Sequence, residues 1–353
     1  MNPPVLDAII VGQGLAGSLL AWQLLAQHQN ILVIDNQHAT GCSRTAAGLI
    51  NPITGKRLAR PALLEQYLED ADSLYSSLEE FFGQTFFHPR NITRLFQSEQ
   101  EQQYFDKRQQ DKSYQAYLGE PFDDNNPRLQ QPAQGFSIKQ GGYLDTVSLL
   151  DCLSEYLSLH NCLHQSQLDY DDIHIDSNNI EVNGFNTRRL IFCEGYKATD
   201  NPWFSWLPFK PAKGEILTLK SDSKVSDSLI NNGRWLLPTT AGHYRFGSTY
   251  QWDQLDNQPS AQGREQLLTS LQDMIKDSDT MQVTEHLAAV RPCTSDTEPF
   301  IGMHPQSTMI GIFNGFGSKG ALLIPYFSNQ FCQHIINNTP IDTTANIQRY
   351  PHE

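Results

Sequence analysis

Positive charge is scarce in this 353-residue chain, where 25 Lys and Arg stand against 39 Asp and Glu for a formal net charge of −14. That balance favours solubility and argues against broad electrostatic capture of nucleic acid or an anionic membrane, while leaving room for a local basic pocket. Cysteine is sparse too. The six thiols, Cys42, Cys152, Cys162, Cys193, Cys293 and Cys332, form no C-x-x-C pair. This excludes the spacing of a zinc site and suits free thiols in a reducing compartment better than a disulfide framework. No basic n-region precedes the first apolar stretch and no A-x-A-like site follows it, so no secretory leader is expected and cytoplasmic is the default. The histidines show no paired arrangement of the kind a catalytic base or metal would use, and no metal is expected. Residues 8–26 are nearly apolar enough for a membrane span, but Gly12, Gln13, Gly14 and Gly17 interrupt them.

Those interruptions form a pattern. Val5 to Val11 is a β-branched run with the composition of a buried parallel strand. It enters Gly12-Gln13-Gly14-Leu15-Ala16-Gly17, a complete G-x-G-x-x-G, followed by helical spacing to His28 and a second strand, Ile31 to Asp35. Gly12 allows a tight turn, Gly14 lets backbone approach a pyrophosphate, and Gly17 lets the helix pack on the strand. The helix N-terminus offers free N–H groups to the phosphates. Asp35, about twenty residues beyond the glycines, suits a ribose hydroxyl pair, and Asn36 is counted with it. Strand, turn, helix, strand and acid in this order predict an adenine dinucleotide site.

A polar stretch then runs to Thr40, and Ser43, Arg44, Thr45, Ala46, Ala47 and Gly48 lie in a run of mostly small residues continuing to Pro52. Such residues suit backbone lying flat against something bulky, although taken alone they read as a surface loop. Ile53 to Arg57 is a turn carrying two cations. The spacing predicts an amphipathic helix over Ala62–Phe82, and Ser98 with Glu101 predicts a capped helix start. Residues 83–135, rich in Gln and Asp with strand-like pieces such as Ile92–Phe96, read as part of a second domain. Asp145 is placed to cap a helix over Thr146–Leu159. A strand at Leu190–Cys193 ends in Glu194-Gly195, a second strand-to-glycine corner, so Cys193, Glu194 and Gly195 join the candidate site. From Ala212 the pattern becomes β-rich, with strands at 214–219, 234–237, 244–250 and 282–290 and a helix over 261–276.

The last quarter carries a third corner. Met309–Phe313 feeds Asn314, then Gly315, Phe316, Gly317, Ser318, Lys319 and Gly320, and then a helix from Ala321 to about Asn337. Two glycine-rich strand-to-helix junctions some three hundred residues apart suit FAD, with the adenosine end at the first and the flavin end at the last. The expected architecture is α/β: a Rossmann-type FAD-binding domain of the GR2-like kind, from 1–60, 136–210 and 290–353. An interleaved, mostly antiparallel β-sheet substrate domain carrying helices takes 61–135 and 211–289.

The segments VGQGLAG with VID, SRTAAGLINP, GGYLD, LIFCEG, KGEILTL, WLLPTTAGHYRFGST, VRPCTSDTEPFIG and FNGFGSKG occur in this order. In them the chain resembles the D-amino-acid oxidase superfamily of FAD enzymes, in its glycine oxidase and sarcosine oxidase branch. The resemblance spans nearly the whole length and is weakest between 60 and 135. It implies that residues 43–48 run beside the flavin ring and that Gly315–Gly320 aim N–H groups at the flavin's pyrimidine edge, where negative charge collects on reduction. It implies that Arg291, in R-P-x-T-x-D-x-x-P-x-I-G, holds a substrate carboxylate through paired hydrogen bonds. Trp235 and Tyr250 fall where glycine oxidase-like members place side chains beside the substrate, Trp235 standing in for a tyrosine. Cys293 is a few residues out of register with the cysteine that attaches flavin in sarcosine oxidases, so FAD is expected to bind non-covalently. Ser318 stands where some relatives carry a cation; Lys319 either supplies that charge or faces solvent.

The function these features imply is oxidation of a small amine bearing a carboxylate, resembling glycine, sarcosine or a D-amino acid, to an imine. Hydride passes to the flavin, and oxygen or another acceptor reoxidises it. Arg291, Tyr250, Trp235 and Lys319 are the residues expected at the reacting end. Two alternatives stand beside this reading: oxidation of a carboxymethylaminomethyl-uridine group in tRNA, where Lys56, Arg57 and Arg60 would meet phosphate, and flavin binding without turnover. The substrate is otherwise a small molecule, with no membrane partner expected and the oligomeric state left open.

Overall fold

The computed structural model describes residues 5–36, 41–123, 126–130, 133–240 and 242–352. The polar stretch at 37–40 lies outside them. A six-stranded sheet has the order 300–304, 307–314, 190–192, 8–11, 31–35, 163–165. All neighbours are parallel except the first pair. Ile9 stands opposite both Leu190 and Leu32, and Leu190 opposite Ile310. Alternate residues of the central strands serve two different cores. Ala8, Ile10, Ile31 and Val33 pack with the helices Leu15–Ala26 and Gly320–Asn337. Ile9, Val11, Leu32 and Ile34 pack with Ile180, Val182 and Phe204 on the other face, beneath a small sheet of 173–175, 180–182 and 185–187. Burial on both faces explains why these strands read as unbroken apolar runs.

An eight-stranded sheet joins residues distant in sequence, in the order 282–291, 212–220, 243–247, 235–238, 229–231, 92–95, 134–138, 118–123. It is antiparallel apart from one parallel pair, Leu229–Asn231 beside Ile92–Leu95. Its long pair sets Gly214 opposite Ala289 and Ala212 opposite Arg291. This is the mixed α/β architecture, with a parallel nucleotide-type sheet and a mostly antiparallel second sheet, that the sequence predicted.

Local expectations fared unevenly. Helices form at Leu64–Phe82, Glu99–Gln109, Thr146–Leu159 and Ala261–Met274. Ser98 Oγ accepts the Glu101 N–H, and Asp145 Oδ1 accepts the Ser148 N–H at 3.1 Å. The stretch expected to lie flat after Thr40 instead turns through a short helix, Cys42–Thr45. The strand Phe300–His304 was not anticipated: it is short, interrupted by Gly302, and formed by antiparallel pairing with 307–314. Among the described residues no helix is long and apolar enough to cross a membrane, and all six cysteines are free thiols.

Candidate active site

The first glycine corner closes on its neighbours without room for side chains. Gly12 has φ +102°, and a Cβ there would lie 2.6 Å from the Cys193 carbonyl oxygen. A Cβ at Gly17 would lie 1.9 Å from the Gly12 carbonyl oxygen, so the helix start rests directly on the turn. The Gln13 N–H donates to Asp35 Oδ2 at 2.8 Å, latching the turn to the end of the second strand. The Leu15 N–H, at the helix start, donates to Ser43 Oγ at 3.0 Å. Gln13 Nε2 is buried with no protein acceptor, an orphan donor on a residue lining the cavity described below.

The small-residue segment is fixed from both sides. Arg44 pairs with Asp151 at 2.7 Å. Arg245, on the strand His243–Gly247, donates to the Ala46 carbonyl at 2.7 Å and to the Thr45 carbonyl. Burial pushes the Arg245 pKa down, with Glu285 and Asp145 opposing. Burial lifts the Cys42 thiol to about 11, partly countered by the Arg291 cation.

The other corners are tied together by Asn314, whose Nδ2 donates to the Gly195 carbonyl at 2.9 Å and whose Oδ1 accepts the Gly315 N–H at 2.8 Å. Glu194 accepts from Tyr170 Oη at 2.9 Å and Asn201 Nδ2 at 2.8 Å. Burial raises its pKa against those two hydrogen bonds. Lys319 precedes the helix Gly320–Asn337, and its carbonyl accepts the Leu322 and Leu323 N–H groups. The first-turn amides of Gly320 and Ala321 lack helical acceptors and are oriented as an anion-facing end.

Arg291 ends the strand 282–291. Its Nη2 donates to Ser248 Oγ at 2.6 Å, and both Nη atoms reach the Thr249 carbonyl at 3.3 Å. The guanidinium lies across Gly214, where a Cβ would come within 1.9 Å of Nη2. Tyr250 covers its other face, with the guanidinium carbon 4.2 Å from the ring centroid. Arg291 is only 9% exposed, and the hydrogen bonds described for it go to neutral oxygens, so its charge is available to a bound anion.

These parts border one cavity of about 1300 Å³. Gly12, Gln13, Gly14, Leu15 and Ala16 line it, as do Asp35, Asn36 and residues 43–48. So do Cys193, Glu194, Gly195, Trp235, Tyr250, Arg291, Phe316, Gly317, Ser318, Lys319 and Gly320. Two predicted residues stand behind the wall. Gly17 serves packing, and Gly315, with φ +85°, sits against Thr294 and the backbone of Phe300. Lys56 lies in a neighbouring cavity. Sequence reasoning missed Arg245, Asn314, Ser248 and Gly214.

A family model described as "FAD dependent oxidoreductase", DAO, matches residues 7–332. The chain belongs to the DAO family. A glycine oxidase from Bacillus licheniformis is 29% identical over 136 residues, 38% of this chain and 37% of that protein. The tRNA 5-methylaminomethyl-2-thiouridine biosynthesis bifunctional protein MnmC of Marinobacter nauticus is 20% identical over 352 residues, 92% of this chain and 55% of that protein. The match thus spans about a third to a half of these relatives' lengths. The crystal structure of a glycine oxidase from Bacillus cereus superposes with a TM-score of 0.83 at 18% identity, covering 95% of this chain and 96% of that one. The family model places this chain among FAD-dependent oxidoreductases, and the superposition shows that the fold is shared.

FAD is the DAO family's cofactor, and the residues present fit it. Asp35, the orphan Gln13 amide, the small-residue segment and the Gly317–Gly320 corner all border this one cavity. Cys293 packs behind Gly317 instead of facing this space; its Sγ would sit 3.4 Å from a Cβ at that glycine. Burial raises the Cys293 pKa, which disfavours the thiolate.

Proposed function

We propose that this DAO-family chain oxidises an amine carrying a carboxylate on the adjacent carbon, giving an imine that hydrolyses in water. The observation that carries the reading is Arg291: a buried cation, with every hydrogen bond described for it going to a neutral oxygen, packed against Gly214 and Tyr250 in the wall of the large cavity. Arg291 fixes the carboxylate by paired charge-assisted hydrogen bonds. That contact orients the α-carbon, and orientation supplies much of the rate in such a reaction. Tyr250 and Trp235 wall the same end and limit what else fits. FAD supplies acceptance of the hydride, with the electrons passing later to oxygen or another acceptor. No side-chain base is assigned, because a neutral amine can lose hydride without one. The glycine oxidase likeness supports a small amino acid or N-substituted glycine as substrate. Arg291→Ala tests the reading: the apparent Michaelis constant should rise by about a hundredfold, the effect of losing roughly 3 kcal/mol of charged hydrogen bonding, while FAD stays bound. An unchanged constant removes the carboxylate anchor.

A second reading keeps the chemistry and places the amine on a modified uridine. The match to the Marinobacter protein over 92% of this chain favours it, as do the exposed Lys56 and Arg57. Arg60 supports it less, since Glu65 already pairs with it. Binding of tRNA that weakens steeply with salt would support this reading; salt-independent or absent binding would remove it.

A further inference from the structure

A second cavity of about 550 Å³ adjoins the first and shares Asn51, Asn231, Gly233 and Tyr250 with it. Its charged walls are Lys56, Arg94 and Arg234 against Asp273. Arg94 is neutralised by the buried Glu101 at 2.6 Å, which leaves Arg234 and the exposed Lys56 as the operative cations. Arg234 is half-buried, and its Nη1 donates to the Ser248 carbonyl. Arg291 holds the hydroxyl of that same Ser248. Two guanidinium groups therefore grip one residue beside Tyr250, and every hydrogen bond described for either goes to a neutral oxygen. One carboxylate compensates one of them. Close, poorly hydrated like charges repel, and the unmet charge is a binding asset only for a ligand that brings a second anion.

We infer that the second cavity receives an acidic extension of the substrate and that Arg234 is its anchor. The amine oxidised here then carries two anionic groups: the carboxylate on Arg291, and a second carboxylate or a phosphate-type group on the far substituent of the nitrogen. Arg291, stacked on Tyr250, and Arg234, bonded to the Ser248 carbonyl in the second cavity, hold the two ends while the carbon between nitrogen and the first carboxylate stays in the larger cavity. Lys56 at the rim draws the second anion in. This rests on the amine-oxidation reading and narrows its substrate to N-substituted glycines with an acidic arm.

The test uses the FAD-loaded enzyme in two assays. Equilibrium binding compares thiodiacetate with ethylthioacetate, two non-oxidisable ligands differing in the second carboxylate, by titration of the flavin absorbance. Anaerobic flavin reduction compares N-ethylglycine with iminodiacetate and N-(phosphonomethyl)glycine. The proposal expects thiodiacetate to bind about tenfold tighter than ethylthioacetate, as one added charge-assisted contact would give. It expects Arg234→Gln to erase that ratio and Arg234→Lys to restore part of it. The better of the two dianionic amines identifies the second group as carboxylate or phosphate-type. If Arg234 only braces Ser248, Arg234→Gln weakens both ligands alike and the ratio survives, which overturns the proposal. Equal binding of the two thioethers by the unmodified enzyme overturns it too. If the thioethers discriminate but no amine reduces the flavin, the oxidation reading fails while the anion anchor stands. If N-ethylglycine and the dianions reduce it equally well, the anchor fails and oxidation stands.

Discussion

Arg245 offers the most searching perturbation of the cofactor cradle. It sits on the second sheet, yet its guanidinium donates to the carbonyls of Thr45 and Ala46, about two hundred residues earlier in the chain. Thr45 and Ala46 line the large cavity, so Arg245 ties one wall of that cavity to the antiparallel sheet. Replacing it with methionine keeps most of the apolar stem and removes two hydrogen bonds from a charged donor. Each is worth about 1.5–3 kcal/mol net where water is excluded. Because Arg245 is only partly buried, the combined loss is set lower, at about 2 kcal/mol. Without FAD the segment can relax and recover some of that loss by meeting water; with FAD it must return to place. The deficit therefore falls on affinity, and about 2 kcal/mol is roughly a thirtyfold weaker FAD dissociation constant. Titrating apoprotein with FAD by flavin fluorescence measures it. Arg245→Lys, whose ammonium can satisfy one carbonyl well but not both as a planar fork, should fall between. A dissociation constant for Arg245→Met within about twofold of the unmodified protein would refute the idea that this arginine shapes the cofactor site.

Other outcomes follow from the same geometry. Gly17→Val should abolish FAD retention during purification, because even its first side-chain carbon would overlap the Gly12 carbonyl and displace the turn; a yellow variant with normal FAD stoichiometry would contradict it. Glu194 has a folded-state pKa raised by burial from the ordinary 4.5. Its protonation therefore stabilises the fold fully below that value, and this contribution is lost as pH rises through the elevated one. Glu194→Gln, which cannot titrate, should show a shallower decline of Tm with pH over that window, and an unchanged slope would assign the pH dependence elsewhere.

The nucleotide half was legible because its signals are local. The apolar run to Val11, the glycine spacing and Asp35 all lie within about thirty residues, and Gly12 and Gly17 are required by backbone oxygens that a side chain at either position would overlap. The capped helix starts at Ser98 and Asp145 were legible for the same reason. Arg245 and Asn314 were not. Within HYRFG an arginine looks like any cation on a strand, and its partners become visible only when strand pairing brings 243–247 near 45–46. Arg291 was found through a family pattern; the features that hold it, Gly214 opposite Ala289 and the Ser248–Tyr250 segment, arise from strand register that no short motif records. The short helix Cys42–Thr45 was missed because its four residues, Cys, Ser, Arg and Thr, make a single turn, too short to show a periodic apolar signal.

The most direct measurement is anaerobic mixing of the FAD-loaded protein with an amine that carries an α-carboxylate and, separately, with the methyl ester of that amine. Loss of the oxidised-flavin absorbance with the acid, slowed by at least about a hundredfold with the ester because Arg291 has lost its anion, is the predicted result. Equal reduction by acid and ester, or no reduction by any such amine, would contradict it.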